Sequence, residues 1–423
     1  MTVAYVNGMV VTAKGLERAD VVIDGGHVVS VGASATADVV VDVSGCVIMP
    51  GFVDLHTHLR EPGKEEAETI VSGSRAGVRG GYTGLVAMPN TTPAADSTMV
   101  VQFVRMQARE AGYLEVAPSG CITVGRLGEA LAPFADLARV GVTMFTDDGN
   151  GVQDPQLMRR ALDYAKDLDI TLAQHCEVSA MTKGAVMHEC SCSSDLGLPG
   201  WPALAEELMV HRDIELVRLT GAKMHFLHLS TARSVELVRR AKHDGLPVTA
   251  EVTPHHLALT SELLRSFDAT YKVNPPLRTM DDIDALKAGV LDGTIDAIAT
   301  DHAPHVRREK ELPLDQAPPG MIGLETALGV VQAELGLDAH TLAQVMSINP
   351  ARIARMERQG RPLAAGSPAN VCIVDMDATW SIDGYAFESK STNSPFAGKT
   401  LRGKVRHTIF EGKRVLESGE VVG

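Results

Sequence analysis

From Gly51 to about residue 360 the chain repeats one unit, a short apolar run that reads as a strand followed by an amphipathic run that reads as a helix. Apolar runs recur near residues 52–56, 82–88, 115–122, 140–146, 170–175, 223–229, 247–253 and 295–300. No other feature narrows the fold as far, because parallel strands need long crossovers and a helix in each crossover is the usual solution. Several helix starts are marked. Asp96 and Ser97 precede VVQFVRMQARE, and Asp154-Pro155 opens QLMRRALDYAKDL. Ser230 or Thr231 opens ARSVELVRRAK, and Met280-Asp281 opens DIDALKAGVLDG. Helical patterns near 323–336 and 339–355 finish the series. Eight such units suit a (β/α)8 TIM-like barrel, a fold of about 250 residues. A doubly wound open sheet is the alternative, but no glycine-rich phosphate fingerprint follows the first strand.

The two ends of the chain have a different texture. Residues 1–50 are Val-rich runs punctuated by Asn7-Gly8, Gly25-Gly26 and Ser44-Gly45, which are hairpin and turn signals. Beyond the turn-rich RQGRPLAAGSPAN, the runs ANVCIVDMD and KVRHTIFEGKRVL return to short β patterns. The economical partition is one small composite β-sandwich domain from 1–50 and 361–423, with the catalytic barrel, 51–360, inserted. Two unrelated β pieces are the alternative.

Composition excludes some functions. The net charge is −14 with no long basic run, so nucleic acid is a poor partner. No apolar run is long enough to span a bilayer, and MTVAYVNGMVV lacks the parts of a signal peptide. The six cysteines are dispersed and read as reduced thiols, so a cytoplasmic location is expected.

In a barrel, chemistry sits at the C-terminal ends of the strands. Polar residues gather at those ends here. The first strand ends in His56-Thr57-His58, whose two imidazoles share a face if the backbone is extended. Asn90 ends the second strand, Asp147-Asp148 the fourth, His175 the fifth and His228 the sixth. Asn274 follows the seventh, and the eighth ends in ATDHAPH with Asp301, His302 and His305. Four histidines and two aspartates at consistent strand ends, without matching thiolates, suit Zn²⁺ or a similar ion. Six ligands exceed one tetrahedral site, so two metals sharing a bridging ligand fit better. Such a pair activates water and polarises a carbonyl, a recipe for making or breaking a C–N bond. Adjacent strand residues face opposite sides, so only one of Asp147 and Asp148 points at the metals.

Other candidates have plainer readings. His225 lies three positions before His228 and reads as packed on the opposite face of a regular strand. His255 and His256 follow Pro254 and read as packing residues, and His302 should face away from Asp301. His188, Cys190 and Cys192 imitate a metal tract but read as a chance cluster, and Cys176 as packing behind its strand. The charged, then Pro-rich segment 306–319 is expected to be a mobile cover over the substrate.

HTHLREPG, MPNT at 88–91, TDDG at 146–149, QHCE at 174–177, KVNPPLR at 272–278 and ATDHAPH together resemble the bacterial class I dihydroorotases of the amidohydrolase superfamily. The resemblance covers essentially the whole chain, and Arg60, NPPLR and TDDG point to this family in particular. It implies the reversible cyclisation of N-carbamoyl-L-aspartate to L-dihydroorotate with loss of water, in pyrimidine synthesis. It also implies two Zn²⁺ per subunit. His56, His58 and Asp301 would hold the first, His175 and His228 the second, and Asp148 would bridge them. The nucleophile in the hydrolytic direction would be the bridging hydroxide, with Asp301 as acid/base. Arg60, Asn90, Asn274, His305 and the Pro319-Gly320 backbone would bind the substrate. A homodimer and association with aspartate transcarbamoylase are further expectations of the resemblance. The competing readings are a dihydropyrimidinase, hydantoinase or allantoinase, which typically place lysine at the fourth strand, and a metal-free structural partner of aspartate transcarbamoylase. The retention of all six ligands disfavours the latter.

Overall fold

The computed structural model describes residues 1–32 and 36–422. Eight parallel strands build its centre: β1 (Phe52–Thr57), β2 (Tyr82–Ala87), β3 (Glu115–Pro118), β4 (Met144–Thr146), β5 (Thr171–Gln174), β6 (Lys223–Phe226), β7 (Val248–Val252) and β8 (Ala297–Ile298). They pair in chain order as two ladders, β1 to β3 and β4 to β8. Parallel bridges join the ladders, Gly120 with Phe145 at one seam and Thr57 with His302 at the other. Gly120 N–H donates to Met144 O at 3.0 Å across the first seam, and His58 N–H donates to His302 O at 2.9 Å across the second. The sheet is therefore closed, and the open-sheet alternative falls away. The second seam runs beside site residues on both strands.

Helices pack outside the strands: α1 (Ile70–Arg79), α2 (Thr98–Ala111), α3 (Phe134–Arg139), α4 (Pro155–Asp167), α5 (Leu204–Thr220), α6 (Ala232–His243), α7 (Met280–Leu291) and α8 (Ala327–Leu335). Their starts follow the capping residues. Asp154 accepts from the amides of Gln156 and Leu157, and Thr231 accepts from Ser234. The cap of α7 is Thr279, one residue before the expected start, because its hydroxyl closes a reciprocal pair with Asp282. Inside the barrel, Val53, Leu55, Val86, Met144, Ala173, Leu227 and Ala299 form one buried cluster with Ala351, Ile353 and Met356. The last three plug the N-terminal end, where Thr143 Oγ1 donates to Ala354 O. Truncating a buried side chain of such a core costs about 2–5 kcal/mol, so the barrel floor is a rigid base for its mouth.

The terminal segments share sheets. Val47–Pro50 pairs in parallel with Met9–Thr12 and antiparallel with Val371–Ser381, inside a seven-stranded sheet. A four-stranded sheet of His27–Gly32, Asp20–Asp24, Val3–Val6 and Val39–Asp42 lies opposite. Tyr5, Val21 and Ile23 of one sheet meet Ile48, Val371 and Ile409 of the other in one apolar cluster. Gly25-Gly26 is the tip of a hairpin, as expected. Asn7-Gly8 is not: it carries the chain from one sheet to the other, with Asn7 at φ 67°. Between Val371–Ser381 and Thr400–Phe410 the chain leaves the sheet over 382–399 and returns to the barrel mouth, an excursion the sequence reading did not anticipate. Among the described residues, no helix is long and apolar enough to cross a membrane.

Candidate active site

Each strand end delivers its side chain to one place. His56 is fully buried, and its Nε2 has no hydrogen-bond partner. That nitrogen lies 3.4 Å from Asp148 Oδ1 and 3.5 Å from Asp301 Oδ1. His58 Nε2 lies 2.9 Å from Asp301 Oδ1 and 3.5 Å from Asp148 Oδ2. Beyond Asp148, His175 Nδ1 and His228 Nε2 are each 3.6 Å from its Oδ1 and 2.9 Å from one another. Asp148 thus belongs to two groups of ligating atoms, one with His56 and His58 and one with His175 and His228, each within 4.8 Å. A bare buried imidazole nitrogen among carboxylates is costly alone, and a divalent cation between these donors would satisfy it. The donor set, imidazoles and carboxylates, is a zinc-type set.

The backbone is bent to achieve this. Arg60, His228 and Asp301 have φ of 62°, 31° and 45°. Such conformations cost a non-glycine residue of order 1–3 kcal/mol and cluster at functional sites. The charges are equally concentrated. Burial pushes the Asp148 and Asp301 carboxyls up, but the neighbouring histidines outweigh it and hold both well below the usual range. Both are ionised acceptors. Burial drags Arg60 down to about 10, so its guanidinium still carries its charge at neutral pH.

Asp147 and Asp148 lie just past the end of β4 and point to different sides. Asp147 turns away and accepts from Ile122 N at 2.9 Å, Thr123 N at 3.0 Å and the Thr123 hydroxyl. His302 also turns away, between Glu68 at 3.2 Å and the Gly323 amide at 3.2 Å. His256 contacts Thr253 Oγ1 and Pro275 O, and His255 is buried beside it. His188 faces the Arg278 guanidinium, Cys190 caps a short helix and Cys192 packs in a core, so no metal tract forms there. Cys176 is buried. His225 is a correction. It lies on the inner side of the barrel, with Nε2 3.0 Å from Glu251. The strand is regular only to Phe226, and the positive φ of His228 turns that ring inward as well.

A cavity of about 170 Å³ opens over the cluster. Its walls include His58, Asp148, His175, His228 and Asp301, together with Arg60, Asn90, Asn274, His305, Pro319 and Gly320. His56 lies beneath it. A larger hollow of about 510 Å³ near Arg105 and Arg109 holds no comparable histidine cluster. Arg60 Nε donates to Pro304 O at 3.1 Å, and its Nη2 lies 3.3 Å from His305 Nε2, which fixes the guanidinium at the cavity wall. The Asn90 side-chain oxygen accepts from His58 Nδ1 at 2.9 Å, which orients the amide and turns its NH₂ toward a ligand. His305 Nε2 donates to Pro319 O at 2.9 Å, and burial beside Arg60 pushes its imidazole down to about 2, so it is neutral.

Several contributors were not anticipated. Glu251 meets His56 Nδ1 at 2.9 Å, and Glu177 meets His175 Nε2 at 3.0 Å. A glutamate inside the strand-like run VTAEV is a signal that could have found the former, since buried carboxylates are rarely idle. Lys310 Nζ donates to Pro318 O at 2.9 Å and Gly320 O at 3.1 Å. Asn393 Nδ2 donates to Ala303 O at 3.0 Å and Gly320 O at 3.1 Å. These bonds tie the 306–319 segment down beside the cavity.

A closed (β/α)8 barrel with this cluster at its mouth defines an enzyme of the amidohydrolase class, whose members work with metal ions. A family model described as Dihydro-orotase-like matches residues 45–234. The dihydroorotase of Streptomyces coelicolor is 48% identical over 96% of this chain and 97% of its own length. That of Mycobacterium tuberculosis is 47% identical over 96% of each. The solved L-hydantoinase (dihydropyrimidinase) of Arthrobacter aurescens superposes with a TM-score of 0.87 at 25% identity, over 100% of this chain and 97% of that one. The chain belongs to the dihydroorotase family.

Proposed function

We propose that the chain is a dihydroorotase, a zinc-dependent enzyme that interconverts N-carbamoyl-L-aspartate and L-dihydroorotate in de novo pyrimidine biosynthesis. The observation that carries this reading is Arg60, a buried fixed cation in the same cavity as the Asp148 cluster. The substrate bears a carboxylate, and a guanidinium binds carboxylates as a two-pronged fork. His56, His58 and Asp301 would hold one zinc and His175 and His228 the other, with Asp148 common to both groups. When bound, the metals supply an activated water and polarise the ring carbonyl. The chain's own residues do the rest. Arg60 anchors the carboxylate; the Asn90 amide NH₂, Asn274, His305 and the Pro319-Gly320 backbone orient the ring amides. Asp301, held ionised, takes a proton in the hydrolytic direction and delivers it to the departing ring nitrogen. In the synthetic direction the steps reverse.

Terminal segments 1–50 and 361–423 act as one unit around the inserted barrel in this reading. The enzyme works in the cytoplasm, as a homodimer, and is able to associate with aspartate transcarbamoylase. A spectrophotometric assay with dihydroorotate, hydantoin and allantoin side by side tests the assignment. Dihydroorotate should be preferred, and a preference for hydantoin would overturn it. Asp301→Asn should keep the fold and lose turnover by about 10²–10⁴-fold, the usual worth of a general acid/base. Near-normal turnover would remove Asp301 from that role.

A further inference from the structure

Glu251 lies on β7, is fully buried and does not line the cavity. It nevertheless touches both halves of the cluster. Its Oε1 is 2.9 Å from His56 Nδ1 and accepts the backbone N–H of His228 at 3.3 Å. Its Oε2 is 3.0 Å from His225 Nε2, whose Nδ1 meets Thr249 Oγ1 at 2.8 Å. Both oxygens are thus engaged, and the carboxylate cannot rotate away from His56 without abandoning His225.

We infer that Glu251 is a positioning residue that sets the ligand geometry of both metal subsites at once. The inference rests on the metal reading given above and adds a residue that reading does not contain. An ionised carboxylate only accepts, so His56 must carry its proton on Nδ1. Its Nε2 lone pair is then left bare and aimed toward Asp148 and Asp301, where that nitrogen stands without a partner. Carboxylates behind metal-binding histidines fix the tautomer and raise ligand basicity in this way. The second contact acts on the other subsite through the backbone. His228 has φ 31°, a conformation that aims its ring at Asp148 and His175, and its N–H is anchored on the same oxygen. One carboxylate therefore couples a ring of the first subsite to the chain direction of the second.

The test uses the purified full-length protein loaded with Co²⁺, with chelator competition and the visible spectrum of the metal as readouts. Glu251→Gln, which keeps the shape and removes the charge, should weaken both subsites together by roughly 10–100-fold and alter the cobalt spectrum. Wild-type affinity with an unchanged spectrum, or weakening of one subsite alone, would overturn the inference. Should the variant not fold, the imidazole ¹⁵N shifts of the wild-type protein decide. His56 is expected as the Nδ1–H tautomer, and finding it as Nε2–H would overturn the inference. A wild-type chain that takes up no metal would instead sink the metal reading itself, and this inference with it.

Discussion

Arg60 is a charge carried where burial opposes it. Its guanidinium is fixed by Pro304 O rather than by a carboxylate, so among the described residues no ion pair competes for it at close range. Leaving such a cation buried makes sense when a ligand supplies the counter-charge. A hydrogen bond to a charged group is worth about 1.5–3 kcal/mol. Arg60→Met should therefore raise KM for dihydroorotate by about 10–100-fold with a smaller change in kcat. Steady-state kinetics checks this; a wild-type KM would separate Arg60 from the substrate. Single residues of this kind were legible in the sequence because type and place coincided: His56, His58, His175, His228 and Asp301 all stand where a strand gives way to a loop. Glu251 and His225 were less legible. Their importance depends on a cross-strand pair, His225 with Thr249 in register and Glu251 beside them, and one strand alone does not show it.

At the scale of elements, the barrel was readable because strand and helix periods differ, and alternation of the two leaves few topologies. The excursion 382–399 was not. IDGYAFESKSTNSPFAGK has no periodicity and reads as an ordinary loop. Its role comes from where it lands. Asn393 makes three bonds to the loops after β8: two from Nδ2, to Ala303 O and Gly320 O, and one at Oδ1 from His305 N–H at 3.2 Å. Ser389 donates to Glu68, which also meets His302 next to Asp301. The segment thus straps the substrate-binding side of the mouth without entering it. Asn393→Ala removes all three bonds; Gly320 O keeps its bond from Lys310 Nζ, but Ala303 O and the His305 N–H are left short of a partner, at about 1–3 kcal/mol each when unsatisfied. The expected result is a KM several-fold higher, with kcat less affected and faster amide exchange across 303–320. An unchanged KM with unchanged exchange would show that the strap does not hold these loops.

At the scale of the whole molecule, polar groups hold the excursion of the C-terminal segment to the barrel, and Glu325 is one that pH can interrogate. It lies just before α8, and its Oε1 accepts from the amides of Glu388 at 2.9 Å and Ser389 at 3.3 Å, at the root of the strap. Its Oε2 has no hydrogen-bond partner and stands 3.4 Å from Arg79 Nε. Burial pushes this carboxyl from 4.5 up to about 8, against the pull of Arg79. In the native protein it keeps its proton up to about 8, whereas in the unfolded chain it loses it near 4.5. Between those values the native state binds the extra proton, so stability falls as pH rises. The contribution is full below about 4.5, declines across the window and is gone above about 8. Glu325→Gln keeps an oxygen for the two amides and cannot ionise. Urea midpoints of wild type and variant, compared from about pH 5 to about pH 8.5, should therefore diverge. The wild type loses stability with rising pH relative to the variant, and the difference levels off at the alkaline end. Parallel curves would mean that Glu325 is ionised in the native protein, with Arg79 as a true ion-pair partner holding the strap to the barrel.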